Sequence, residues 1–200
     1  TSGAKSWEAA QPHLSTIGEV IVALAHNGTL VNSDDLRRQL IELGIPFRSN
    51  TDSEVAAKLI GYFTEKTGHL REGIAAAMRR IEGGYAMALV RENALYAFRD
   101  PNGIRPLVLG KLEATEEASE GWVVASETCA LDIVGATFVR EITPGEIIRL
   151  SDDGIVTCRG VPQRMPANCI FEHVYFARPD SVKDGSSFYA MRYAMGRRLA

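Results

Sequence analysis

Tyr85-Ala86-Met87-Ala88-Leu89-Val90, then Arg91-Glu92-Asn93, then Ala94-Leu95-Tyr96-Ala97-Phe98: two apolar runs stand either side of a short polar turn. A connection that short joins only antiparallel neighbours, because a parallel crossover needs a dozen residues or more. The same pattern recurs downstream. Residues 107–110 and 122–125 read as a strand pair around the polar, acidic loop 113–120. Residues 146–150 and 155–158 form a hairpin around Asp152-Asp153-Gly154. Asp100-Pro101-Asn102-Gly103 is a strong turn. Antiparallel pairing is therefore expected for most strands.

Upstream, helices come as a block and do not alternate with strands. Ser33, Asp34 and Asp35 open a helix carrying Leu36, Leu40 and Leu43, which Gly44 stops. Thr51-Asp52-Ser53-Glu54 opens a second, with Val55, Leu59, Ile60 and Phe63 on its apolar face. A third spans about residues 70–81, bearing Ile74, Met78 and Ile81, and Gly83-Gly84 ends it. Before the block, residues 19–25 read as a strand that His26-Asn27-Gly28 terminates. Segregated helices and antiparallel strands predict an α+β layered fold and argue against a doubly wound parallel sheet. Residues 163–168 read as a connector, 169–177 as an extended run, and 186–200 as a helix with Phe188, Met191, Met195 and Leu199 on one face.

Composition narrows the class. With 46% hydrophobic and 24% charged residues the chain is globular, and its net charge of −3 provides no footprint for nucleic acid or an acidic membrane. No apolar run reaches the length of a bilayer span, and no signal peptide opens the sequence. Cys129, Cys158 and Cys169 are odd in number and form no C-x-x-C pair, which fits a reducing, cytoplasmic setting and argues against a disulfide framework.

Two places offer chemistry. Gly28 lets a backbone N–H approach a ligand, and Asn27 adds a side-chain amide; two such donors make an oxyanion hole, although Asn-Gly is also the commonest short turn. Asp52, at a helix start, is either a cap or a partner for a substrate ammonium. Phosphate-binding glycine loops, nucleophile elbows and paired metal-binding histidines have no counterpart.

At these residues the chain resembles a known family. Ala25-His26-Asn27-Gly28-Thr29-Leu30-Val31-Asn32 and Thr51-Asp52-Ser53-Glu54 are similar, in order and spacing, to two segments of class II glutamine amidotransferases. Arg99-Asp100-Pro101-Asn102-Gly103-Ile104-Arg105-Pro106-Leu107, Ala125-Ser126-Glu127-Thr128-Cys129-Ala130-Leu131-Asp132 and the run from Cys169 to Ser181 resemble the amidophosphoribosyltransferases among them. The resemblance implies an N-terminal-nucleophile hydrolase fold, four α-β-β-α layers with antiparallel sheets. Residues 1–160 would belong to the glutaminase domain, and 161–200 to a connector and the start of a phosphoribosyltransferase domain.

The family hydrolyses glutamine at an N-terminal Cys and passes the ammonia to phosphoribosyl pyrophosphate, giving 5-phosphoribosylamine at the first step of purine biosynthesis. By resemblance Asn27 and Gly28 donate to the oxyanion. Asp52, Thr1 and His26 bind substrate, Asp52 holding the α-ammonium and Thr1 lying near the carboxylate. The family's nucleophilic Cys falls before Thr1, so this stretch alone is expected to be inactive, and to oligomerise or be only marginally stable. Cys169 resembles one ligand of a [4Fe–4S] cluster found in some members, and magnesium belongs to the transferase domain; neither is expected in these residues themselves. A homotetrameric parent is implied. The alternatives are a sugar-phosphate aminotransferase of the same class and a non-catalytic relative.

Overall fold

The structure is a computed structural model that describes residues 7–116 and 119–200. In chain order it contains strands β1 (His13–Ile17) and β2 (Val20–Leu30), helices α1 (Ser33–Glu42), α2 (Asp52–Thr67) and α3 (Leu70–Arg80), and strands β3 (Gly83–Arg91) and β4 (Ala94–Arg99). Then follow β5 (Val108–Leu112), β6 (Gly121–Ala125), α4 (Thr128–Ile133), β7 (Thr137–Glu141), β8 (Glu146–Ser151), β9 (Gly154–Arg159) and α5 (Phe188–Leu199), the last preceded by the two-residue strands β10 (Val182–Lys183) and β11 (Ser186–Ser187). Every strand pairing among the described residues is antiparallel, both where a short turn requires it, as in β3–β4 and β8–β9, and where no short turn joins the strands, as in β2–β3.

Packing divides the chain into one unit running up to Arg105 and resuming over Thr143–Pro166, and another made of Pro106–Ile142 with Ala167–Ala200. The expected division at residue 160 follows the motifs; the division by contacts is interleaved. Residues 161–166 stay with the first unit because Val161 N bonds Gly145 O, Arg164 N bonds Pro101 O and the Asn102 amide bonds Met165 O.

The first unit is a six-stranded sheet in the order β1-β2-β3-β4-β8-β9 with α2 packed on β1 and β2 and flanked by α1 and α3. Strand alternation sorts its faces. Val20, Val22, Leu24 and Leu30 of β2 are buried with Tyr85, Met87 and Leu89 of β3, against Val55, Ile60, Ile74 and Met78 from the helices. Each such side chain contributes about 1.5–3 kcal/mol when fully buried. Leu14, Ile21 and Val90, on alternate positions, are exposed. Thr51 caps α2 by accepting from Glu54 N at 3.2 Å. The Glu54 carboxylate turns back to accept from Arg48 N, Ser49 N and the Ser49 hydroxyl. Helix α3 crosses α2 closely at Gly73, where a Cβ would lie 2.2 Å from Thr64 Oγ1.

Three expectations need correction. His26-Asn27-Gly28 does not end the strand: β2 continues to Leu30, because His26 to Leu30 pair with Met87 to Gly83. For the same reason Gly83-Gly84 open β3 and do not merely end α3. Residues 172–176 are not extended but form a π-helical turn. The guanidinium of Arg192 draws the carbonyls together there, donating to Glu172 O, His173 O and Ala177 O at 3.3, 2.8 and 2.7 Å.

In the second unit β6-β5-β7 form a three-stranded sheet around Val108, Leu131 and Ala136. Glu127 gathers Arg178 N and the Ser181 hydroxyl at 2.7 and 2.8 Å. Of the apolar face expected on α5 only Phe188 is buried. Among the described residues no helix is long and apolar enough to cross a membrane.

Candidate active site

Backbone direction in β2 decides the geometry. His26 N donates to Gln11 Oε1 at 2.5 Å and His26 O accepts from Gln11 Nε2 at 2.9 Å, so the His26 peptide groups face the β1 side. Gly28, two residues on, faces the same way. Its partner in the register, Tyr85, confirms this, because Tyr85 N and O bond Asp100 and so turn away from β2. The Gly28 N–H is thus directed to the strand edge beyond the first residue of β1. Gly28 has φ of +143°, and a Cβ there would lie 2.1 Å from Gly84 O.

One pleat further, Leu30 N donates to Asp52 Oδ2 at 3.0 Å. The Asp52 carboxylate therefore sits on the same edge as the Gly28 N–H, about 7 Å along the strand. Asp52 is buried, and its second oxygen, Oδ1, has no hydrogen-bond partner among the described residues. A buried carboxylate oxygen left without a donor is costly unless something cationic or hydrogen-bonding supplies one. A substrate ammonium would meet that need.

His26 lies on the helix-facing side of β2. Its Nδ1 is 3.0 Å from Ser53 Oγ and 3.9 Å from Asp52 Oδ1, and its Nε2 lacks a partner among the described residues. Burial pushes its pKa down to about 4, against the upward pull of Asp52. The ring is consequently neutral near pH 7. His13, whose Nε2 is 3.1 Å from Thr51 Oγ1, is shifted the same way, burial again being the main cause.

A pH dependence of stability follows. An unfolded His takes up its proton near pH 6.5, whereas folded His26 resists until about 4. Stability is expected to fall as pH drops through 6.5 and to level off near 4, with His26 accounting for about 3 kcal/mol. His26→Gln should remove that share of the slope in urea unfolding measured from pH 7 to pH 4, leaving the smaller share from His13. An unchanged slope would contradict a buried neutral His26.

The Asn27 side chain leaves from the face opposite His26, as alternation requires. Its Oδ1 accepts from Arg105 Nη2 at 2.6 Å, which presents the amide NH2 as the donor end. The structure thus brings Gly28 N–H, Asp52, His26 and Ser53 around one strand edge, with Asn27 reaching out from the other face. Arg105, Ser53 and Gln11 were not singled out from sequence. Arg105 lay inside a recognised run, and its charge just after the Asp100-Pro101-Asn102-Gly103 turn was the available signal. Thr1 lies outside the described residues.

Cys169 is in the second unit, half-buried, just before the π-helical turn. A [4Fe–4S] cluster requires four thiolates or equivalent ligands. Among the described residues no three His, Cys, Asp or Glu side chains gather as a metal site.

The glutamine amidotransferase domain family matches residues 3–132. An amidophosphoribosyltransferase of Synechococcus elongatus is 43% identical over 200 residues, covering 100% of this chain and 40% of that protein. Its counterpart from Mycobacterium bovis is 42% identical over 206 residues, covering 100% and 38%. The chain therefore spans about two fifths of the length of the curated relatives it matches. Among solved structures, the glutamine phosphoribosylpyrophosphate amidotransferase of B. subtilis, complexed with ADP and GMP, superposes with a TM-score of 0.85 at 38% identity. It covers 98% of this chain and 42% of that one.

Proposed function

Since the chain belongs to the glutamine amidotransferase domain family and has its N-terminal-nucleophile hydrolase fold, we propose that it forms the wall of a glutamine-hydrolysing site. The released ammonia is used in the same protein to convert phosphoribosyl pyrophosphate to 5-phosphoribosylamine, in purine biosynthesis. The observation that carries this reading is the edge of β2, where the Gly28 N–H and the half-satisfied Asp52 carboxylate lie close enough for one amino acid to engage both.

Asp52 Oδ1 takes the α-ammonium of glutamine. The side-chain carbonyl lies toward Gly28 and Asn27. When a thiolate adds to that carbonyl, the negative oxygen of the tetrahedral intermediate is met by the Gly28 N–H and the Asn27 NH2. Collapse, with the proton given up by the thiol passed to the departing nitrogen, expels ammonia and leaves a thioester, which water cleaves to glutamate and the free thiol. Donors held in place beforehand need no reorganisation as the charge develops, which is why such holes account for a large part of the rate. His26 is neutral and packs beside Asp52, so it adds no competing positive charge.

The relatives that align with the full chain carry the name amidophosphoribosyltransferase, which favours phosphoribosyl pyrophosphate over a sugar phosphate as ammonia acceptor. Magnesium would accompany that pyrophosphate substrate in the transferase part. A homotetramer in the cytoplasm completes the proposal.

Asp52→Asn tests it in the full-length protein. A charge-assisted contact to the ammonium is worth about 1.5–3 kcal/mol, so the KM for glutamine should rise roughly tenfold to a hundredfold. Product formation from free ammonia should stay unchanged. A glutamine KM equal to that of the parent protein would remove Asp52 from the site.

A further inference from the structure

We propose that Arg105 is a positioning residue of this site: its guanidinium fixes which end of the Asn27 amide faces the substrate. The inference rests on reading the β2 edge as an oxyanion hole, and deepens it. A primary amide is nearly symmetric in shape and opposite in chemistry at its two ends. Rotated by half a turn, Asn27 would aim a carbonyl oxygen at the developing negative charge and raise the barrier it should lower.

Arg105 prevents that rotation. A guanidinium has donors only, so it engages Oδ1 and repels the NH2 end. The contact is 2.6 Å from Arg105 Nη2 to Asn27 Oδ1, a short hydrogen bond from a charged donor. Withdrawing electron density at Oδ1 also makes the opposite N–H groups better donors.

Arg105 is itself held on both sides of its own residue. Its N–H is 3.4 Å from Asp100 Oδ2, which also takes Ile104 N at 2.9 Å, and its carbonyl accepts from Arg99 Nε at 2.6 Å. A second donor from Arg99 reaches Gly103 O at 2.9 Å. The turn from Asp100 to Arg105 therefore acts as a mount. It carries a cation to a side chain 78 positions earlier in the chain.

Glutamine hydrolysis by the full-length protein is the test, with Arg105→Gln, Arg105→Lys, Asn27→Ala and the two double variants. Arg105→Gln should lower kcat by about tenfold to a hundredfold, leaving KM within about threefold of the parent, because the loss falls on the transition state. Asn27→Ala should lower kcat by about a hundredfold or more. Adding Arg105→Gln to Asn27→Ala should cause no further loss, since no amide remains to be oriented.

Arg105→Lys keeps a donor-only cation and a similar stem. It serves where the Gln variant does not fold, and should cost kcat a few-fold only while Asn27 is present. A kcat for Arg105→Gln equal to the parent's, or a loss from Arg105→Lys that persists when combined with Asn27→Ala, overturns the role of Arg105. If Asn27→Ala alone leaves kcat intact, the oxyanion reading falls and this inference falls with it.

Discussion

Gly28→Ala is expected to destabilise the protein by about 4 kcal/mol or more, and in a chain of ordinary stability that leaves little folded material. Two costs combine. At φ of +143° an L side chain is strained, which alone is on the order of 1–3 kcal/mol. The new Cβ would also sit 2.1 Å from Gly84 O and 2.9 Å from Tyr85 Cα, both backbone atoms of the adjacent strand. Backbone cannot rotate aside as a side chain can, so β2 and β3 must separate, costing a further 1–3 kcal/mol or so. Neighbouring Met87 and Leu89 are fully buried in the core that separation would open. Urea unfolding should show the midpoint falling well below that of the parent; a shift below about 1 kcal/mol would show that the strands are not this close. Any Gly28→Ala protein that folds should also lose glutamine turnover, because the N–H at the strand edge moves.

Asp100→Ala should have an effect of similar size, about 4 kcal/mol, by another route. Asp100 is fully buried. Its carboxylate accepts from Tyr85 N at 3.2 Å, Asn102 N at 2.9 Å, Ile104 N at 2.9 Å and Arg105 N at 3.4 Å. Removing it leaves several main-chain donors without an acceptor, each costing about 1–3 kcal/mol unless water enters. Asp100→Asn is the informative second variant. It preserves shape but turns one oxygen into a donor facing N–H groups, so it should recover only part of the loss. Equal stability of the Asn variant and the parent in urea would show that the negative charge plays no part. If Arg105 positions Asn27, variants at Asp100 that still fold should also lower kcat for glutamine and spare its KM.

How much of this was legible beforehand depends on the range of the interaction concerned. The strand pair either side of Arg91-Glu92-Asn93 could be read locally, because turn length and apolar runs are properties of adjacent residues. So could the start of α2, where Thr51 caps within its own turn. The end of β2 could not. Asn-Gly is a turn dipeptide by local preference, and only the register against β3, more than fifty residues later, makes it strand. The π-helical turn at 172–176 depends on a guanidinium from Arg192, which no window of a few residues contains. Of the site, Asn27, Gly28 and Asp52 could be named through a resemblance. That Asp52 is tied to Leu30 N, that Gln11 closes the edge at His26, and that Arg105 holds the Asn27 amide are tertiary facts.

The central claim is that one glutamine lies along the edge of β2, with its ammonium at Asp52 and its side-chain carbonyl at Gly28 and Asn27. A crystal structure of the full-length protein soaked with L-glutamate, the hydrolysis product, tests this most directly. The account predicts the amino nitrogen within hydrogen-bond distance of Asp52 Oδ1 and a side-chain oxygen within reach of both Gly28 N and Asn27 Nδ2. Glutamate bound elsewhere, or bound here with its amino group turned away from Asp52, would contradict it.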